Sequence, residues 1–160
     1  DEQGRAKSYL TAANACHLVL VEVDVETGLI AFKKYCVVED CGRVINTQLV
    51  DEQIRGGVVQ GIGGALFEEC RYNERGELLN GTMSNYLLPT MTDVPDIEVA
   101  HIETPTSESE LGAKGAGEAG TGAAAAAIMN AINDALSPLG GKVTQQPFTP
   151  ERILSAIGKI

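Results

Sequence analysis

No apolar stretch in this 160-residue chain approaches the ~18 residues that a membrane-spanning helix needs, and no basic start followed by an apolar core marks a secretory leader. The expected location is cytoplasmic, with no membrane span. Basic residues are scarce and never run together: 12 Lys and Arg stand against 22 Asp and Glu, a net charge of −10. A chain so charged cannot neutralise a phosphate backbone, which excludes nucleic acid as a partner. Trp is absent and aromatics make up 4% of the chain, yet 44% of the residues are hydrophobic, enough for one folded core. There is no CxxC pair among Cys16, Cys36, Cys41 and Cys70. Cys36 and Cys41 fall in one predicted strand at an odd spacing, on opposite faces. His17 and His101 are isolated, so an all-protein zinc or iron site has neither its ligands nor its spacing. The expectation is reduced, structural thiols and ordinary histidines. The start, "DEQGRAKSYL", has no Met and reads as a processed end or a cut from something longer.

Hydrophobic periodicity organises the rest. In "LVLVEVDVETGLIAF" the acids Glu22, Asp24 and Glu26 alternate with Val21, Val23 and Val25, the pattern of a strand with one wet face, and Thr27-Gly28 predicts a hairpin turn. The returning strand "IAFKKYCVVED" leads to a helix with Asn46 or Thr47 as N-cap. A second hairpin is predicted with "NERG" as its turn, and a further strand at "DIEVAHIE". "TPTSESELGAKGAGEAG" has the composition of a functional loop. In "AAAAAIMNAINDAL", Ile128, Ile132 and Leu136 repeat every four residues, and Ser137-Pro138 ends the helix. "TPERILSAIG" predicts a last helix with Thr149 as N-cap, Pro150 at its first position and Gly158 as its stop. The expected class is α+β: sheet hairpins packed with a glycine-rich helix and an alanine-rich helix, without internal repeat or domain linker.

Two glycine clusters call for an explanation. Gly56, Gly57, Gly61, Gly63 and Gly64 interrupt "LVDEQIRGGVVQGIGGALFEE", each costing about 1 kcal/mol against Ala in a helix interior. A helical projection sets Ile54, Val58, Ile62 and Leu66 on one side and the glycines opposite, with Gln60 in their midst. Such a face suits close approach of another chain or a flat polar ligand; equally, it suits tight helix packing with Gln60 in water. The second cluster, "GAKGAGEAGTG", surrounds Glu118. "GAGEAG" formally matches the GxGxxG dinucleotide fingerprint, but no buried strand precedes it, Asp134 falls inside a helix, and Glu118 would repel a pyrophosphate. No GK[ST] makes it a P-loop. Two readings of Glu118 stay open: a general base reached through bare backbone, or a carboxylate that merely charges a helix start.

"VEDCGRVIN", "EQIRGGVVQGIGGALFEE", "NYLLP", "IETP" and "LGAKGAGEAG", in this order and through to "TPERILSAI", closely resemble the C-terminal part of the molybdenum hydroxylase large subunit. That family includes xanthine dehydrogenase, aldehyde oxidoreductase and aerobic carbon monoxide dehydrogenase. The resemblance implies that residues 1–160 form the C-terminal segment of a molybdopterin-binding domain, holding an incomplete site and inactive alone. It implies oxidative hydroxylation of an aldehyde, an N-heterocycle or carbon monoxide with water as the oxygen source. Glu118 matches the family's catalytic glutamate, which takes a proton from the attacking oxygen nucleophile. Gln60 and Gly61, with Lys114, Gly115, Ala116 and Gly117, match its cofactor contacts, Lys114 to Gly117 through their backbone. The implied cofactor is molybdopterin or molybdopterin cytosine dinucleotide with molybdenum. Iron-sulfur clusters and FAD would sit on other domains or subunits, which with the N-terminal part of the large subunit are the implied partners. The competing reading is a noncatalytic binding or assembly module that keeps the fold without cofactor.

Overall fold

The computed structural model describes residues 2–4 and 11–160, so the opening residues singled out in the sequence lie mostly outside it. β1 (Asn14–Val23) and β2 (Ile30–Asp40) form the expected antiparallel hairpin. Its turn is closed by Asp24, whose backbone carbonyl accepts from Gly28 N at 2.7 Å and whose carboxylate accepts from Glu26 N and Thr27 Oγ1, both at 2.8 Å. Gly28 has φ of 74°, and a Cβ there would stand 2.5 Å from Pro150 O, so glycine satisfies both the turn and the chain packed on it.

The hairpin register slips between Leu20 and Val21, which pair with Lys34 and Phe32 and leave Lys33 as the extra residue. This bulge resets which residues face inward. Before it Ile30 and Phe32 pack on the core; after it Tyr35, Val37 and Glu39 are buried. The three-residue step from Phe32 to Tyr35 in "IAFKKYCVV" is its trace in the sequence.

α1 (Thr47–Leu66) starts at Asn46, whose side chain accepts from Leu49 N at 3.1 Å. It lies in sequence between β2 and β3 (Ile97–His101), which pair in parallel from Tyr35↔Ile97 to Glu39↔His101. Parallel neighbours need such a crossover, and a helix supplies it. α2 (Ala119–Gly122) is a single turn, α3 (Ala124–Leu136) ends in a 3-10 turn at Ser137–Leu139, and α4 (Pro150–Ala156) is capped by Thr149. The three-stranded mixed sheet with helices on its inner face is the α+β arrangement expected. No helix among the described residues is long and apolar enough to cross a membrane.

One predicted hairpin is reduced. The "NERG" turn forms, with Asn73 Oδ1 accepting from Arg75 N and Glu77 N at 2.9 Å, but its arms meet only in the bridge Tyr72↔Leu78. Asn80 claims the neighbouring backbone instead, accepting from Arg71 N and donating to Glu69 O, so the ladder stops.

The glycines of α1 do not share one bare face opposite the apolar side. Gly57 and Gly61 are buried in the same stripe as Ile54, Val58 and Ile62, Gly63 is buried on another side of the helix under Glu68 and Pro89, and Gly56, Gly64 and Gln60 face solvent. Tight helix packing explains Gly57 and Gly61. A Cβ on Gly61 would lie 2.4 Å from Ala124 Cβ, and a Cβ on Gly120 would lie 2.2 Å from Ile54 O. The expectation of a single glycine face misplaced two residues, because at 100° per residue Gly57 and Gly61 fall within about 60° of Ile54, on the apolar side.

The two kinds of glycine are expected to respond oppositely to alanine. Gly120→Ala should destabilise by about 1–3 kcal/mol through backbone displacement, whereas Gly56→Ala, with nothing within 4 Å of the new methyl, should stabilise by up to about 1 kcal/mol. Denaturant midpoints of the two variants against the parent protein check this.

Candidate active site

Glu118 is carried by a loop fastened to the end of β2. Asp40 is the fastener: Oδ1 accepts from Gly42 N at 2.8 Å and Thr104 N at 3.2 Å and lies 3.0 Å from Lys114 Nζ, while Oδ2 accepts from the Thr104 hydroxyl. The Thr104 hydroxyl above all, with the Gly42 amide and the Lys114 ammonium, holds its carboxyl well below the usual carboxylate range against the opposing effect of burial. Lys114 also donates to Thr104 Oγ1 at 2.9 Å, and its backbone N donates to Cys41 O at 2.7 Å. Gly115 N then reaches Thr11 O at 3.0 Å.

Beyond that point the loop opens a cleft of about 290 Å³ between Thr11–Ala15 on one side and Gly115, Gly117, Glu118 and Ala119 on the other. Its walls are mostly alanine and glycine. A Cβ placed on Gly117 would meet nothing within 4 Å, so the backbone there is open to a visitor. Glu118 sits at the N-cap of α2, exposed, and its side chain makes no capping bond. Among the described residues its carboxylate has no hydrogen-bond or ion-pair partner.

The peptide groups around Glu118 are held firmly. Gln53 Nε2 on α1 donates to Gly117 O at 2.9 Å, and His17 Nε2 on β1 is 2.9 Å from Ala119 O. Thr121 Oγ1 donates to Gly57 O at 3.0 Å. Neither Gln53 nor His17 stood out in the sequence. Gln53 is one helical turn before Gly57, on the side that meets α2. His17 is the polar member of the inward series His17, Val19, Val21 and Val23, the signal that could have found it.

A second network joins α1 to the sheet. His101 Nδ1 lies 2.6 Å from Glu39 Oε1 and Nε2 lies 2.6 Å from Asp51 Oδ1. Glu39 is 1% exposed, and its Oε2 has no partner among the described residues. Burial pulls the His101 pKa down, but hydrogen bonds to Glu39 and Asp51 and their charges outweigh it, and the pKa is raised. Cys41 next to this cluster is buried, its thiol pushed up to about 11 by burial and then by the Glu39 charge. All four cysteines are free. Cys36 lies on the outer face of β2, its Sγ 3.4 Å from Glu98 Oε2, and Cys41 lies just past the strand end.

Of the residues singled out in the sequence, Gly115, Gly117 and Glu118 line the cleft together. Ala116 lies between the two glycines, and the Lys114 amine turns away to Asp40, leaving only backbone on the cleft side of the loop. Gly61 is packed under Ala124, and Gln60 is exposed on α1, outside the cleft lining.

The fold belongs to a known class: residues 1–95 match the molybdopterin cofactor-binding domain, and the chain is a member of that family. The resemblance to the molybdenum hydroxylase large subunit extends to individual proteins. The nicotine 6-hydroxylase large subunit of Paenarthrobacter nicotinovorans is 46% identical over 90% of this chain and 18% of its own length. The carbon monoxide dehydrogenase large chain of Afipia carboxidovorans is 29% identical over 90% of this chain and 18% of its own. The crystal structure of quinoline 2-oxidoreductase from Pseudomonas putida 86 superposes with a TM-score of 0.88 at 44% identity, over 91% of this chain and 18% of that one. The chain thus spans about a fifth of the length of the relatives it matches.

The His101 network gives stability a definite pH dependence. A raised folded-state pKa contributes stability that is fully present below the unfolded value of about 6.5 and is lost as pH rises through the folded value. Thermal unfolding followed between about pH 6 and 9 should show the advantage of the parent protein over the double replacement Glu39→Gln with His101→Gln shrinking as pH rises.

Proposed function

We propose that this chain forms one wall of the active site of a molybdopterin-dependent oxidoreductase, which hydroxylates a small substrate with water as the oxygen source, and that Glu118 is its general base. The observation that carries this is a carboxylate without partner among the described residues, at the mouth of a cleft walled mostly by alanine and glycine, on a backbone held from both sides. A structural cap would use its oxygens on the helix, and Glu118 does not.

The residues fit the cofactor. Gly115 and Gly117 present bare backbone, and the space before Gly117 is open, so a flat polar group could lie against the loop from Lys114 to Gly117. When bound, the molybdenum-pterin group supplies the redox chemistry. The chain's own task is narrower. Glu118 accepts a proton from the attacking nucleophile, the loop amides beyond Lys114 and Gly115, whose own N–H groups are spent on Cys41 O and Thr11 O, orient the bound group, and Ala12, Ala13 and Ala15 line the facing wall with small apolar side chains. Gln60 and Gly61 contribute through their turn of α1: Gly61 lets α3 pack closely, and Gln60 remains exposed to meet a group from outside the chain.

The relatives named for nicotine and quinoline, at 46% and 44% identity, support a nitrogen heteroaromatic as substrate over carbon monoxide, whose relative is 29% identical. The rest of a large subunit is the proposed partner. It would complete the cleft and cover the outer sheet face, where Leu18, Leu20 and Val38 are 61%, 56% and 38% exposed. Iron-sulfur and flavin centres are proposed to sit on other domains or subunits, as the resemblance to the molybdenum hydroxylase large subunit implies. Free thiols throughout suit a reducing compartment, the cytoplasm.

In the assembled enzyme, Glu118→Gln is expected to keep molybdenum and pterin while turnover falls by roughly two to four powers of ten, the scale of general-base removal. Steady-state kinetics beside metal analysis test it, and full turnover in the metal-loaded variant would sink the base assignment.

A further inference from the structure

We infer that Gln53 and His17 are positioning residues for Glu118, gripping the carbonyl groups immediately before and after it from two different elements of the fold. Gly117 O accepts from Gln53 Nε2 at 2.9 Å, and Ala119 O is 2.9 Å from His17 Nε2. The first of these peptide groups, 117–118, is bonded to the Glu118 Cα, and the second, 119–120, lies one residue further on, so together they bracket the segment Glu118–Ala119 and limit how the backbone that carries the side chain can turn.

The chemistry of the grip is determined on the His17 side. A carbonyl oxygen only accepts, so Nε2 of His17 must carry the proton. Nδ1 is 3.0 Å from the Tyr35 hydroxyl and in the neutral ring accepts from it. Tyr35 is fully buried, and burial raises its pKa, which keeps the phenol protonated and available as donor. The two rings meet edge to face at 75° with centroids 5.8 Å apart, which fixes the imidazole plane as well as its tautomer. The chain Tyr35 to His17 to Ala119 O therefore runs from the sheet core to the residue after the proposed base.

Nothing local could do this work. α2 has only one turn and no side-chain cap, and the residues around Glu118 are glycine and alanine. An isolated turn of this kind is unstable alone. Its shape comes from α1, through Gln53, through the Thr121 hydroxyl on Gly57 O and through the contact of Gly120 with Ile54 O, and from β1 through His17. A rotation of the 117–118 peptide, or a shift of the turn held at Ala119 O, would swing the carboxylate, and misplacement by about 1 Å can cost on the order of 100-fold in rate.

The catalytic consequence rests on Glu118 being the base; the grip itself does not. In the assembled enzyme, hydrogen exchange of a peptide covering residues 115–122 reads the grip directly. Its amides at Gly115, Thr121 and Gly122 bond to Thr11 O and Glu118 O. Gln53→Met and His17→Phe are each expected to speed this exchange about tenfold or more, and to lower kcat about 10- to 100-fold with KM within about twofold and molybdenum retained. His17→Gln, which restores one amide donor and one acceptor, should recover most of both. Unchanged exchange in metal-loaded Gln53→Met overturns the inference; this variant decides if His17→Phe fails to assemble, because Gln53 is exposed and leaves the core intact. Glu118→Gln serves as the control. If it retains turnover the base reading falls, while the exchange of the 115–122 peptide still decides whether the two side chains hold the turn.

Discussion

The contact on which the site depends is the closest approach of α1 to the turn that follows the Glu118 loop. Gly120 lies so near the Ile54 carbonyl that no side chain fits, and Gly57 faces the same turn with room only for hydrogen. That spacing lets Gln53 span from helix to loop and Thr121 reach Gly57 O. Helices packed through ordinary side chains lie 8–10 Å apart. At such a separation neither bond would form, and Glu118 would sit on a turn with no support from α1. The glycines of α1, unfavourable to the helix taken alone, are the condition for placing a short loop accurately.

The end of β2 fixes the other side of the loop with three consecutive residues. Glu39 binds His101 and through it Asp51 on α1, Asp40 binds Thr104 and Lys114, and the Cys41 carbonyl takes the Lys114 amide. Burying Glu39 and Asp40 costs desolvation, which His101 offsets at one Glu39 oxygen and two amides, the Thr104 hydroxyl and Lys114 offset at Asp40. One strand end thereby sets the height of α1 and the path of the loop together. A change at either carboxylate is transmitted to Glu118 without touching it.

Much of this was legible in the sequence. The β1–β2 hairpin, the caps at Asn46 and Thr149, the buried face of Ile128, Ile132 and Leu136, and the chemical singularity of Glu118 all follow from local patterns. What was not legible depended on contacts distant along the chain. Gln53 and Gly117 are 64 residues apart and His17 and Ala119 are 102 apart, and no periodicity encodes such pairs. The glycines of α1 were found but Gly57 and Gly61 were turned to the wrong side, and what they pack on, Gly120 and Ala124, lies more than sixty residues away along the chain. The bulge at Lys33 was visible only as a skipped beat in an apolar alternation.

On the proposed reading of Glu118 as a general base, these residues do not supply everything its carboxylate needs. Glu118 is exposed and the cleft opens to solvent, whereas proton transfer and charge stabilisation are most effective where water is excluded. Accuracy of position and dryness are separate requirements, and only the first is met by these residues. The second must come from whatever closes over the cleft. The bare Leu18 and Leu20 on the opposite face of β1 place that need on the same strand that carries His17. A polypeptide packed against that face would press on the element that grips Ala119, so covering the sheet and stiffening the segment that carries the proposed base would be one event.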